Sequence, residues 1–146
     1  MKCTKAIYLA FVCTLLLTGC QSPKVLAPLE PETLEEKDCT FTPIYFEGNT
    51  LIVAQASLPR VEKMAECIRA AFRPIKVSGH SDRMGSRTYR EDVGRNRARA
   101  VRDALVKHGV VRELVTTTSY GSSRMVCTEA HERCAPMNRR VTIEFQ

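Results

Sequence analysis

The sequence predicts an α/β (α+β) fold, a two-layer sandwich of element order βαβαββ with two helices on one face of a mixed sheet. Three observations lead there. Two stretches carry apolar residues at helical spacing, around residues 57–71 and 86–108. Four short stretches are rich in β-branched or aromatic residues or alternate strictly, around residues 41–46, 75–79, 114–120 and 141–145. Glycine and proline punctuate the boundaries between them. Helices alternating with the first strands, followed by two strands in succession, fit helices layered on one side of a sheet.

Each element has its own justification. Residues 41–46 form a short strand, and Pro43 confines it to an edge or a strand start because proline has no N–H to donate. Glu47, Gly48 and Asn49 make a turn. The first helix tolerates Pro59 in its first turn and carries an apolar stripe of Leu58, Val61, Ala65, Ile68 and Phe72. Pro74 ends that run, and residues 75–79 read as a buried strand. The second helix is stopped by Gly109, with His108 suited to its negative C-terminal end. Residues 114–120 are dense in threonine and valine, a third strand. Residues 121–137 read as a polar loop, and Val141, Thr142, Ile143, Glu144 and Phe145 alternate as a last strand with one wet face.

The chain divides into a leader, a tether and one domain. Residues 1–19 combine Lys2 and Lys5 with an apolar run over 6–17, which is too short to span a bilayer and fits a signal peptide. Leu17, Thr18, Gly19 and Cys20 resemble a bacterial lipobox, which implies cleavage before Cys20 and its lipidation. Gln21 lacks the aspartate of enteric inner-membrane retention, so an outer-membrane lipid anchor is expected, with the domain in the periplasm. Residues 20–38 hold Pro23, Pro28 and Pro31 and the acids Glu30, Glu32, Glu35, Glu36 and Asp38 against Lys24 and Lys37, an extended tether. The excess of positive charge behind the overall +6 therefore lies in residues 39–146. A basic surface suits anionic wall polymer or acidic lipid, and export disfavours nucleic acid.

Cysteine usage agrees with export. Once Cys3 and Cys13 leave with the leader and Cys20 is lipidated, Cys39, Cys67, Cys127 and Cys134 remain for an oxidising compartment. Three pairings are possible. A first helix folding back along the first strand brings Cys39 to Cys67, which lies off the apolar stripe, and Cys127 and Cys134 then close a short loop.

Residues 79–101, GHSDRMGSRTYREDVGRNRARAV, carry the chemistry. In a helical projection Val93, Ala100, Val101, Ala104 and Leu105 form an apolar stripe with Arg97 near its middle, while Arg95, Arg99 and Arg102 project to solvent. A guanidinium on a buried face needs a carboxylate or a bound anion, since desolvating it alone costs several kcal/mol, on the order of 5. Asp82, at the mouth of the helix, is the nearest candidate partner. An acid and an inward arginine at one helix start can hold a ligand with both an ammonium and a carboxylate.

The order Asp82-x-x-Gly85, Tyr89, Val93, Arg97-Ala98-x-x-Val101 and Asn138-Arg139-Arg140-Val141 resembles the OmpA C-terminal-like peptidoglycan-binding domain. Gly79-His80-Ser81-Asp82, Gly94 and Ser119-Tyr120-Gly121 lean toward its Pal-like branch. The resemblance covers roughly residues 40–146. It implies that Asp82 binds the amino group of meso-diaminopimelate in the peptidoglycan stem peptide and that Arg97 binds its carboxylate. Phe46 and Glu47 match the family's Phe-Asp after the first strand and would line the site with an apolar wall and a carboxylate. Arg139 reaches the ligand carboxylate or makes a strand-end salt bridge. Arg90 departs from the family's asparagine; it would grip a second carboxylate, repel the ligand ammonium or occupy Asp82 itself.

Other chemistries fit less well. A triad of His80, Ser81 and Asp82 fails because successive strand residues alternate, placing Ser81 away from a side shared by His80 and Asp82. Cys127, His131 and Cys134 supply three zinc ligands where a structural site takes four, so no metal is expected. The resulting expectation is a non-enzymatic lipoprotein with no cofactor that anchors the outer membrane to peptidoglycan. The alternative is an OmpA-like protein-interaction subunit of an envelope machine: a Tol–Pal-like assembly, or a secretion, flagellar or pilus apparatus.

Overall fold

The computed structural model describes residues 39–129 and 133–146, so the leader, Cys20, the tether and His131 lie outside the described residues. The described chain forms a four-stranded mixed sheet in the order β1-β4-β2-β3. Its elements are β1 (Ile44–Tyr45), α1 (Leu58–Ala71), β2 (Ile75–His80), α2 (Arg87–Lys107), β3 (Val115–Gly121), α3 (Cys134–Asn138) and β4 (Arg140–Phe145). The two strands flanking α2 run parallel, as a helical crossover requires, whereas β4 runs antiparallel to both β2 and β1. The predicted element order holds, with α3 added to the segment expected to be all loop.

The strands that alternate in sequence alternate in space. Ile75, Val77, Val141 and Ile143 face the helices and join Val61, Met64, Ala65, Ile68, Ala98, Val101 and Leu105 in one buried core. Each valine, isoleucine, leucine or methionine among them contributes about 1.5–3 kcal/mol on burial. On the other face, Lys76 and Glu144 oppose each other across the β2–β4 ladder and form an ion pair.

Several expectations are corrected. The first strand spans two residues rather than six. Pro43 cannot extend the ladder, and the preceding residues are fixed by other means: Phe41 packs its ring 5.0 Å from that of Phe145, and Cys39 is bonded to Cys67. Phe72 leaves the helical stripe because it is the left-handed cap of α1 (φ 47°), which turns its ring out to solvent. The buried face of α2 is Gly94, Arg97, Ala98, Val101 and Leu105, with Val93, Ala100 and Ala104 only half-buried. Arg102 is also half-buried, paired with Asp103, rather than fully solvated.

Two local features fix α2. Ser86 caps its start, its hydroxyl accepting the Tyr89 N–H at 3.2 Å, and Gly109 (φ 88°) follows the C-cap His108. Gly79 and Gly94 let helix and strand touch: a Cβ on Gly79 would fall 1.8 Å from the Gly94 carbonyl oxygen. Both predicted disulfides are formed, Cys39–Cys67 and Cys127–Cys134.

Candidate functional site

The C-terminal end of β2, the turn after β1, the first half of α2 and the start of β4 converge at one end of the sheet. Arg97 lies there at 1 % exposure, the largest fully buried side chain among the described residues. Its partners are backbone carbonyls. Nη2 donates to Gly48 at 2.8 Å, Nε to Thr50 at 3.2 Å and Nη1 to His80 at 3.3 Å. The guanidinium also sits 5.3 Å from the centre of the Phe46 ring. The turn predicted at residues 47–49 is therefore fastened from below by the arginine that the helical projection marked as misplaced.

Asp82 is 8 % exposed and pairs with Arg139 rather than with Arg97. Its Oδ2 accepts from Arg139 Nη1 at 3.2 Å, and its Oδ1 accepts the Met84 N–H at 3.1 Å. Arg139 also donates through Nε to the Phe46 carbonyl at 3.4 Å. Both charged neighbours are felt at Arg97. Burial lowers its pKa, the Asp82 carboxylate opposes that shift, and the Arg139 charge adds to it. One carboxylate thus lies among two arginines, leaving a positive charge without a counter-ion in the cluster.

The remaining predicted residues fall around this cluster in different roles. Phe46 is core, 3 % exposed, and presents its backbone as well as its ring. Glu47 is exposed and lines a groove of about 490 Å³ together with Tyr45, Gly48, Pro136, Met137 and Arg139. Arg90 does not contact Asp82; its Nη1 donates to the carbonyls of Arg83 (3.1 Å) and Gly85 (2.9 Å). It pins the turn that carries Asp82, which explains how a long cation is accommodated where the family has asparagine. A second hollow, about 540 Å³ beside Cys39 and Cys67, is lined by none of the predicted binding residues.

His80, Ser81 and Asp82 do not converge. The expected shared side of His80 and Asp82 is not observed, because β2 ends at His80 after a register shift and the chain then turns. The His80 ring lies on the face away from the helices, 3.4 Å from the Thr142 hydroxyl and stacked 5.5 Å from Tyr120, while Ser81 donates its hydroxyl to the Asp82 carbonyl. Burial, then the charges of Arg140 and Arg124, push His80 down to about 4. Cys127 and Cys134 are spent on each other, and no cluster of metal-ligating side chains occurs among the described residues.

Sequence reasoning missed Asn138. It is 2 % exposed, accepts the N–H groups of Val126 (2.9 Å) and Cys127 (3.2 Å) on Oδ1 and donates to the Cys127 carbonyl at 2.7 Å. The signal was present in its place beside Arg139, within the quoted Asn-Arg-Arg-Val run.

The chain is a member of the OmpA family, whose model matches residues 45–139. Among curated relatives, the peptidoglycan-associated lipoprotein of Pseudomonas aeruginosa is 30 % identical over 103 residues, covering 70 % of this chain and 61 % of that protein. The crystal structure of the peptidoglycan-associated lipoprotein from Burkholderia pseudomallei superposes with a TM-score of 0.69 at 27 % identity, covering 71 % of this chain and 89 % of that one. The C-terminal domain of Helicobacter pylori MotB shares the fold, with a TM-score of 0.68 at 24 % identity over 73 % of this chain and 85 % of that one. The chain spans about 60 % of the length of the first of these relatives.

Proposed function

We propose that this protein binds peptidoglycan through the diaminopimelate of the stem peptide and tethers it to the outer membrane through acyl chains on Cys20. The observation that carries the reading is the cluster of Asp82, Arg97 and Arg139, with one acid against two arginines. A zwitterionic ligand completes it: the ammonium replaces Arg139 on the Asp82 carboxylate, and the carboxylate takes the excess positive charge. Arg139 stands at the groove rim and meets the ligand carboxylate first. Arg97 has five N–H donors and spends three on carbonyls, so two remain for the ligand from beneath. Glu47 and the Phe46 wall frame the groove, and Arg90 fixes the Asp82 turn. The role is non-covalent anchoring, without catalysis, cofactor or metal.

The test is retention on purified sacculi of the wild type, Asp82→Ala and Arg139→Ala. Loss of either partner costs about 2–5 kcal/mol, because the other charge is stranded. Equal retention of all three proteins would refute the site.

A second reading, a protein-interaction subunit of an envelope machine, draws on exposed apolar side chains near the site, Leu51 and Ile52 after the first turn and Met84 before α2. In-cell crosslinking from position 52 that captured no protein would count against it.

A further inference from the structure

The geometry points to the Cys127–Cys134 disulfide, acting through Asn138, as the clip that positions Arg139 and the Asp82 turn for ligand, so that opening it weakens wall binding while the fold persists. This inference rests on the peptidoglycan-binding reading above. Helix α3 begins at Cys134 and ends at Asn138, one residue before Arg139. At its start the helix is bonded to Cys127. At its end the buried Asn138 side chain makes three hydrogen bonds back to Val126 and Cys127. Both ends of α3 are therefore tied to Cys127, and Arg139 leaves from that closed unit to reach Asp82.

A second connection leaves the same loop. The Thr128 carbonyl accepts from Arg83 Nη2 at 2.8 Å, next to Asp82, and the Arg83 carbonyl in turn accepts from Arg90. The acid and its arginine are thus each held to the clipped loop by a different residue. A helix of five residues has too little internal hydrogen bonding to keep its place unaided. The other disulfide, Cys39–Cys67, joins the segment before β1 to α1 beside a hollow lined by none of these residues, which makes it an internal control.

Opening the clip is a two-electron exchange. A dithiol attacks the sulfur–sulfur bond at the half-buried Cys127, passes through a mixed disulfide and leaves as its own cyclic disulfide. Its two protons end on Cys127 and Cys134 as thiols.

The experiment uses the full chain purified in detergent and a synthetic diaminopimelate-containing stem peptide, with affinity read by calorimetry and fold by circular dichroism. Four proteins are compared: wild type, Cys127→Ser/Cys134→Ser, Cys39→Ser/Cys67→Ser and Asn138→Ala. The last cysteine pair is also titrated before and after dithiothreitol, which then acts on Cys127–Cys134 alone. We expect roughly a tenfold loss of affinity in Cys127→Ser/Cys134→Ser, in Asn138→Ala and on dithiothreitol treatment, the size typical of a supporting contact one step from a ligand. Cys39→Ser/Cys67→Ser opens the longer loop, a separation of 28 residues against 7, so it loses more stability yet keeps wild-type affinity. Unchanged affinity in the clip variant, or an affinity loss that follows melting temperature across both disulfide variants, overturns the inference. Failure of the oxidised wild type to bind the peptide at all would instead sink the peptidoglycan reading.

Discussion

Replacing Arg97 by methionine separates two roles that a binding assay alone confuses. If Arg97 served only to receive a ligand, its removal would leave the empty protein as stable as before, or more so, by relieving a desolvated charge. Here the guanidinium holds three carbonyls, at 2.8, 3.2 and 3.3 Å. Hydrogen bonds to a charged donor are worth about 1.5–3 kcal/mol each. Gly48 and Thr50 are exposed and can rehydrate, whereas His80 is buried and its carbonyl loses this donor outright. Relief of desolvation offsets part of the loss, so a net destabilisation of about 3 kcal/mol is expected. For a domain of this size that lowers the melting temperature by about 12–20 °C. Thermal unfolding followed by circular dichroism reads it directly, and Arg97→Lys should lose most of the same stability because an ammonium lacks the planar fork. A melting temperature for Arg97→Met within 3 °C of wild type would refute the reasoning, by roughly the resolution of such a scan.

Two further outcomes follow from buried groups elsewhere in the fold. His80 is held down to about 4 in the folded protein against an ordinary value of 6.5, so the unfolded chain binds the extra proton between those limits. Stability is therefore unaffected by His80 above about pH 6.5 and falls as pH drops towards 4, by roughly 2–3 kcal/mol in all. The difference in unfolding free energy between pH 7.5 and 4 should shrink by about that amount in His80→Asn, and an unchanged difference would contradict the burial described. Gly79→Ala places a methyl 1.8 Å from the Gly94 carbonyl oxygen, with backbone on both sides, so α2 must retreat by more than 1 Å; a loss of at least about 3 kcal/mol in urea unfolding is expected, and a near-neutral variant would show that α2 and β2 do not touch there.

Much of this was legible in the chain because the governing patterns are local. The period of α2 and its Gly109 stop fix the helix within a residue of its predicted ends. The cysteine pairing followed from an antiparallel return of α1, which is a property of element order. What could not be read was long-range pairing between charges. Helical projection put Arg97 inward correctly, but its partners are carbonyls from a turn nearly fifty residues away, and Asp82 is claimed by Arg139 from the far end of the chain. Arg90 illustrates the same limit. A long side chain can fold back on its own turn, and only the backbone path of residues 83–85 decides that it does. The short helix α3 was invisible because it is set by a disulfide and a buried asparagine, not by propensity or periodicity.

On the proposed reading, one acid among two arginines receives a ligand bearing both charges. Titration of the purified protein with a diaminopimelate-containing stem peptide, beside the same peptide carrying lysine in its place, tests it most directly. Lysine keeps the side-chain ammonium and removes the carboxylate. Saturable binding of the first peptide and at least tenfold weaker binding of the second are expected, with Asp82→Asn weakening both because both carry the ammonium. Equal affinity for the two peptides, or binding of the first that survives Asp82→Asn intact, would contradict it.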